Sequence, residues 1–177
     1  MRKLYVMVIF VITMVLGSST VFAGPDDIVH DKGFNNLYWG QTIEQVAQNY
    51  DIDFNDYEID GIYTKYKIHK DFLYVYNVKA IPTIELYFYH DKLAKMKMVF
   101  ITTNDSENRD NIKTMKRALS NSFGDPTIWN RYYSETKNRL HLTEWTRTDT
   151  LIKMIFSYIK QNGKYILVLD LEDGSLR

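Results

Sequence analysis

Hydrophobic and polar residues alternate with a period of two over much of the chain, and two segments replace this pattern with a helical spacing. Period-two alternation is typical of antiparallel strands that bury one face in the core. Apolar residues spaced three and four apart are typical of an amphipathic helix. In the first half of the chain the alternation predicts four strands, over residues 62–68, 72–78, 84–89 and 95–100.

A helix is predicted before each set of strands. Thr42 and Gln45 have the spacing of a capping box, so we expect a short helix after the Thr42 cap. The second helix is expected to begin after Asn104 and to end at Gly124, because side-chain caps start helices and glycine ends them. The apolar stripe of this second helix consists of Ile112, Met115, Leu119 and Phe123.

The second half of the chain repeats the order of elements. Alternation predicts strands over roughly residues 127–134, 139–147, 150–160 and 163–171, and Asn162-Gly163 is a hairpin signal between the last two. The order helix, strands, helix, strands predicts an α+β fold of two tandem helix-plus-antiparallel-strand units, with the helices packed on one face of the sheet. The units are expected to span residues 24–101 and 102–177, as two domains or as one continuous domain.

The first 23 residues have the pattern of a secretory signal peptide. Arg2 and Lys3 precede an apolar run from Leu4 to Leu16, and Val21-Phe22-Ala23 is a small-residue cleavage site. The alternative is an uncleaved membrane anchor, but the apolar run is shorter than the ~20 residues that span a bilayer. Because the chain contains no Cys, it has no site for a lipoprotein anchor. We therefore expect a periplasmic or secreted protein that leaves the membrane after cleavage.

Composition argues against several classes of function. The 22 basic and 22 acidic residues balance, so the chain lacks the positive charge of a nucleic-acid binder. The absence of Cys excludes thiolate metal sites and cysteine nucleophiles. No phosphate-binding loop or serine-hydrolase motif is present, so we predict a protein with no cofactor, no metal and no enzymatic activity. The three Trp residues, Trp39, Trp129 and Trp145, are expected to serve in core or hinge packing.

The acidic residues leave two alternatives open. A small envelope hydrolase could use two clustered carboxylates, although the sequence singles out no pair. A structural or calcium-dependent module is the other alternative, because Asp51-x-Asp53-x-Asn55 has the ligand spacing of the start of a calcium loop. That match then fails, since Asp56 replaces the loop glycine and Ile62 replaces the bidentate glutamate.

The strongest functional prediction concerns the outward face of the first set of strands. If Ile62, Tyr66 and Phe88 point into the core, tyrosine and lysine side chains fill the opposite face. Tyrosine is favoured in binding surfaces, so we predict that this face binds another envelope protein or a cell-wall component. The alternative is an ordinary solvated sheet face. The predicted binding residues are Tyr63, Lys65, Lys67, Tyr87, Tyr89, Lys95 and Lys97.

Two segments and the order of elements carry a resemblance to known proteins. The segments from Trp39 to Val46 (WGQTIEQV) and from Leu119 to Pro126 (LSNSFGDP) resemble small exported bacterial proteins of uncharacterised function. The tandem pattern is similar to β-lactamase inhibitory proteins, and a single unit resembles the small lipoprotein of outer-membrane barrel assembly. Both of these bind proteins and perform no chemistry, so the resemblance implies a binding function. The chain departs from them by lacking the lipid-bearing Cys and the disulfides.

Overall fold

The computed structural model of the chain describes residues 29–30, 32–133, 140–147 and 149–176. The predicted signal peptide, residues 1–23, lies outside these described residues. Strands account for 49% and helices for 19% of the structure, so the fold is mostly β. Within the described ranges no helix is long and apolar enough to cross a membrane.

The N-terminal segment forms three short strands and one short helix. Strands β1 (Val29–His30), β2 (Gly33–Phe34) and β3 (Leu37–Tyr38) make a small antiparallel sheet, and helix α1 (Ile43–Ala47) follows it. The predicted capping box at the start of α1 is confirmed. The Thr42 hydroxyl oxygen accepts a hydrogen bond from the backbone N–H of Gln45 at 3.3 Å, and the Gln45 side chain accepts one from the Thr42 N–H at 2.9 Å.

Eight of the later strands form one continuous antiparallel sheet. Each strand in it pairs with its neighbour through backbone hydrogen bonds, and alternate side chains point to opposite faces. In spatial order the strands are β10 (Ile128–Tyr133), β11 (Leu140–Thr146), β12 (Thr150–Ser157), β13 (Tyr165–Asp173), β9 (Lys92–Thr102), β8 (Thr83–Tyr89), β5 (Tyr63–His69) and β4 (Glu58–Asp60).

The predicted fold of two tandem helix-plus-strand units is wrong, because the strands of both halves join in this single sheet. The junction is the pairing of β9 with β13, in which Val99 lies opposite Val168 and Met98 opposite Leu169. Alternation tells which residues of a strand share a face, but it carries no information about which strands become neighbours. Pairing β9 with β13 also removes two edges that separate sheets would have exposed.

The predicted strand over residues 72–78 is instead a tight hairpin of β6 (Tyr74–Val75) and β7 (Val78–Lys79). Tyr76 and Asn77 form its turn with φ angles of 51° and 63°. Two-residue hairpin turns of this kind need positive φ at both positions. The turn contains no glycine, which is why the apolar alternation across it looked like one strand.

Helix α2 (Asp105–Phe123) begins and ends where the sequence predicts. The Asn104 side chain accepts a hydrogen bond from the Glu107 N–H at 3.2 Å, and Gly124 ends the helix with a φ of 75°. All four residues of the predicted apolar stripe are buried. They pack with the N-terminal segment against one face of the sheet, which contributes Leu86, Met98, Met154, Phe156 and Leu169 to the core.

The predicted hairpin between β12 and β13 is confirmed. Asn162 and Gly163 both have positive φ, at 50° and 77°, and Met154 lies opposite Leu169 in the paired strands. Because β12 and β13 are joined by this short turn, their register follows from the turn itself. Each of the two strands has a neighbouring strand on both sides, so both lie in the interior of the eight-stranded sheet.

The three Trp residues occupy different environments. Trp145 is buried, and its indole N–H donates to the Gly124 carbonyl oxygen at 3.1 Å. The Trp39 indole N–H donates to the Thr150 hydroxyl at 2.8 Å. Trp129 is 62% exposed, so its predicted role in packing is wrong. Trp129 lies where the register between β10 and β11 shifts, and such irregularities redirect side chains away from the regular face.

Candidate binding face of the sheet

All seven predicted binding residues lie on the face of the sheet that points away from α2, called here the open face. The register places Lys65 opposite Tyr87 and Tyr87 opposite Lys95, while Lys67 and Lys97 flank Glu85. Among the described elements, both helices and the N-terminal strands pack on the other face, where the core lies. The open face is therefore a surface of the described structure.

The three tyrosines of the prediction form one aromatic cluster. The ring of Tyr63 contacts the rings of Tyr87 and Tyr89 edge-on, with centroid distances of 6.0 and 6.2 Å. Tyr87 is only 5% exposed, and its hydroxyl donates to the Glu85 carboxylate at 2.9 Å. Burial, together with this hydrogen bond, raises the pKa of Tyr87 well above its usual value. The Tyr87 ring is therefore part of the structure of the face, and Tyr63 and Tyr89 are its accessible members.

The assumption behind the predicted face holds only in part. Tyr66 and Phe88 do pack together on the core side, with an edge-on ring contact at 5.7 Å. Ile62, however, is 69% exposed and lies before the first residue of β5. Its expected place in the core is wrong, because the strand begins one residue later than the alternation indicates.

The lysines of β5 and β9 are paired with acids that the sequence did not single out. Lys65 and Lys67 both contact the Glu58 carboxylate, the second at 2.7 Å. Hydrogen bonds from these two lysines lower the pKa of Glu58 to about 2. Lys97 lies 3.3 Å from Glu85. Each of these lysines is thus neutralised by a neighbour on the next strand.

The densest ion pairing is at the junction of the two halves. The Lys95 ammonium lies 2.9 Å from the Asp170 carboxylate and 3.4 Å from Glu172, which also contacts Lys153 at 3.1 Å. Burial raises the pKa of Asp170 even though Lys95 acts to lower it. One Asp170 carboxylate oxygen is buried and has no hydrogen-bond partner within the described residues. This oxygen has almost no exposed surface, so it is a buried polar atom of the junction and not a contact point of the surface.

Charged side chains form two neighbouring rows that run across the strands of the open face. In the first row, one residue from each of six strands lies opposite the next, from β5 to β11, and the charges alternate in sign. The second row contains the ion pairs of Glu58 and Lys95. We call these ten residues the charged band, and their five positive and five negative charges cancel. The first row is Lys67, Glu85, Lys97, Asp170, Lys153 and Glu144, and the second row adds Glu58, Lys65, Lys95 and Glu172.

Beside the charged band, aliphatic residues predominate on the open face over four strands, and the one serine among the described positions there, Ser157, is buried. Ile101 lies opposite Ile166, and Val99 lies opposite Val168. Ile101 is 42% exposed, and most of the others are half-buried by their neighbours. We call this set the apolar strip; its members are Val99, Ile101, Leu142, Ile155, Ile166 and Val168.

The acids considered for calcium lie on a loop at the edge of the sheet. Asp51, Asp53 and Asp56 line a depression together with Lys67 and His69. The Asp53 carboxylate accepts the backbone N–H of Asn55 at 2.9 Å, so it is engaged in a local turn. Within the described residues no three His, Asp or Glu side chains are arranged to hold a metal ion.

Sequence reasoning found the lysines of this face and missed the acids that pair with them. Asp170 and Glu172 alternate with the apolar residues Leu169 and Leu171, so the period of β13 already assigned them to the outward face. Their pairing with Lys95 depends on the β9–β13 register, which the sequence does not reveal, whereas their approach to Lys153 follows from the β12–β13 hairpin. The apolar strip was missed for the same reason, since it is assembled from four strands.

Comparison of the chain with protein-family models, with curated proteins and with solved structures gives no match.

Proposed function

We propose that this chain is an exported protein without enzymatic activity that binds another envelope protein through its open face. The observation that carries the proposal is the apolar strip, which lies on an uncovered sheet face beside a charged band whose charges cancel. Contiguous exposed aliphatic residues with a polar border are the pattern of a protein-binding surface.

Charge supports a protein partner more than a charged cell-wall polymer. The acids of the charged band neutralise its lysines, as the distances of 2.7 Å for Lys67–Glu58 and 2.9 Å for Lys95–Asp170 show. A face without net charge produces little long-range field, so it does not attract a polyanion. Recognition then depends on apolar contact, with polar groups fixing the orientation of the partner.

One polar feature gives this surface specificity. Tyr63 and Tyr89 lie at the β5–β8 side of the charged band and offer ring surface with a hydroxyl at one end. The partner that fits is a protein with an apolar patch bordered by hydrogen-bond donors.

The experiment compares two double variants that each replace two isoleucines by serine. Ile101→Ser/Ile166→Ser alters the apolar strip, and Ile59→Ser/Ile62→Ser alters isoleucines that are 68% and 69% exposed and lie outside the open face. An alanine variant of Tyr87 is less suitable, because Tyr87 is buried and its truncation would leave a cavity that disturbs the packing of the face. Each protein is used as bait for an envelope extract of its own host and, separately, for purified cell wall.

The proposal requires a defined protein that is retained by the wild type and by the Ile59/Ile62 variant. After purification, this protein should bind the Ile101/Ile166 variant at least about tenfold more weakly in a direct titration. Equal binding to both variants, or retention of nothing, would contradict the proposal. Retention of cell wall alone would assign the open face to a polymer instead of a protein.

A further inference from the structure

On the other side of the molecule, a groove runs along α2 where the helix meets the end of β12 and the exposed Trp129 of β10. Its volume is about 570 Å³, within the range of about 300–1,000 Å³ that small-molecule sites occupy. One wall is a single face of α2, whose residues are three, four, seven and eight positions from Arg109. They are Ile112, Lys113, Lys116 and Arg117. Trp129 and Tyr158 form the opposite wall.

Four positive side chains converge on this groove. Arg109, Lys113, Lys116 and Arg117 line it, and Asp125 is the one acid among its described lining residues. Arg109 is paired with Asp105 at 2.9 Å, whereas Lys113 and Arg117 are exposed and make no ion pair within the described part of the chain. The groove therefore carries an excess of positive charge, in contrast to the neutral charged band of the open face.

Aromatic rings surround the innermost of these cations. The Lys116 ammonium lies 4.5 Å from the centroid of the Phe156 ring and 5.3 Å from that of Trp129. The Arg109 guanidinium lies 5.8 Å from the Tyr158 ring. Burial lowers the pKa of Lys116, which reflects the partial removal of its ammonium from water. The attraction between this partly desolvated ammonium and an anion is stronger than the attraction between a fully solvated lysine and the same anion.

The remaining groups fit a ligand with one charged end and one apolar body. Trp129 is 62% exposed, which leaves much of its indole ring open beside the groove. Ile112 lies at the base of the groove and is almost fully buried, so the ring of Trp129 supplies most of the apolar contact area.

We propose that this groove binds a small organic anion with a flat apolar body, whose acidic group contacts Lys116 and whose body lies against Trp129. Inorganic anions lack the body, and neutral aromatic molecules lack the charge, so both should bind more weakly. The site is independent of the open face, because the two lie on opposite sides of the sheet.

The experiment uses two fluorescent probes that differ by one charged group, anilinonaphthalene sulfonate and its uncharged relative phenylnaphthylamine. Each is titrated into the purified wild-type protein, and sodium sulfate is then added as a competitor without an apolar body. We expect saturable binding of the sulfonate at one site per chain. Lys116→Gln should weaken sulfonate binding about tenfold and should change binding of the neutral probe less than about twofold.

Two further variants keep the test decisive if Lys116→Gln fails to fold. The exposed pair Lys113→Gln/Arg117→Gln should weaken the sulfonate selectively, as Lys116→Gln does. Trp129→Ala should weaken both probes by about three- to tenfold, whereas Phe72→Ala, at a ring that is 69% exposed elsewhere, should leave both unchanged. Lys164→Gln, at an exposed turn, is the matched control for charge.

Three results would overturn the proposal. The first is the absence of saturable sulfonate binding. The second is binding that the Trp129 and lysine variants leave intact, which would place the probe elsewhere. The third is equal weakening of both probes by the charge variants, which would show an apolar groove with no selectivity for anions.

Discussion

The Lys95 ammonium lies 2.9 Å from the Asp170 carboxylate, across the pairing of β9 with β13. The two strands come from opposite halves of the chain, so this ion pair lies at the junction that makes the sheet continuous. A one-residue slip of either strand would turn its charged residue toward the core. Because an unpaired charge in the core is costly, the pair favours the observed register over its nearest alternatives.

The first prediction concerns Glu172, which lies 3.1 Å from Lys153 and 3.4 Å from Lys95. Burial alone would raise its pKa, but the two lysines outweigh burial and lower the pKa below the usual 4.5. Glu172→Gln should therefore reduce the free energy of unfolding at neutral pH by about 1–2 kcal/mol. Urea unfolding at pH 7 measures this difference.

The same variant has a defined pH dependence. A carboxylate whose pKa is lower in the folded state stabilises the fold above the unfolded pKa and loses this contribution as the pH falls through the folded value. The difference between wild type and Glu172→Gln should therefore shrink as the pH drops below 4.5. Glu144→Gln removes a carboxylate of the charged band that makes no ion pair within the described residues, and it should cost less than about 0.5 kcal/mol. A loss for Glu172→Gln that stays constant with pH would contradict the role of its charge.

The second prediction concerns His141, whose ring stacks on Phe156 at 5.5 Å and meets Tyr158 edge-on at 5.1 Å. Burial, together with the charge of Lys116, lowers its pKa below the usual 6.5. Between these two pKa values the unfolded chain binds the proton more readily than the folded chain. Stability from His141 is therefore complete above pH 6.5 and is lost as the pH falls.

The measurement is urea unfolding of the wild type and of His141→Gln at pH 5, 6 and 7. The wild type should lose more stability than the variant between pH 7 and pH 5. His90→Gln, at an exposed turn, serves as the control and should follow the wild type. If His141→Gln and the wild type lose equal stability over this range, His141 does not titrate as the structure indicates.

Local signals in the sequence predicted the helices, because helix ends depend on residues close together in the chain. The Thr42–Gln45 capping box, the Asn104 cap and the Gly124 end are all found where expected. The Asn162-Gly163 turn also fixed one hairpin correctly. Each of these features involves contacts over a few residues, and their energies do not depend on the rest of the fold.

Features that depend on contacts between distant residues were not predictable in the same way. The β9–β13 pairing joins residues about 70 positions apart, such as Val99 and Val168, and alternation is equally compatible with other neighbours. The ion pairs of Lys95 and the exposed groove position of Trp129 follow from that topology and from the irregular register of β10. The face of each lysine could thus be predicted, but the partner of each could not.

The third prediction tests how α2 is attached to the sheet. Asn108 is buried, and its amide donates to the Ser157 carbonyl oxygen at 3.0 Å. Asn108→Ala removes this donor and leaves a buried carbonyl without it, so it should reduce the free energy of unfolding by about 1–3 kcal/mol. Asn121→Ala on the exposed side of the same helix is the matched control, and it should be neutral or slightly stabilising. If the two substitutions change the free energy of unfolding equally, the hydrogen bond from Asn108 to Ser157 does not contribute to stability.

The fourth prediction concerns the close approach of backbone at Gly33, whose φ is 142°. A Cβ atom added at this position would lie 2.0 Å from the backbone oxygen of Leu37, which no side-chain rotation can relieve. The strand pair β2–β3 would have to open, and it carries the buried residues Phe34 and Leu37. Gly33→Ala should therefore cost about 3 kcal/mol or more.

Gly163 offers the matched control for this substitution. Its φ is also positive, at 77°, but nothing lies within 4 Å of an added Cβ atom. Gly163→Ala should therefore cost only about 1 kcal/mol, the strain of an alanine in the left-handed region. Urea unfolding of both variants separates the cost of the steric clash at Gly33 from the cost of a positive φ angle, which both positions share. A loss at Gly33 no larger than that at Gly163 would mean that β2 and β3 separate without disturbing the core beneath them.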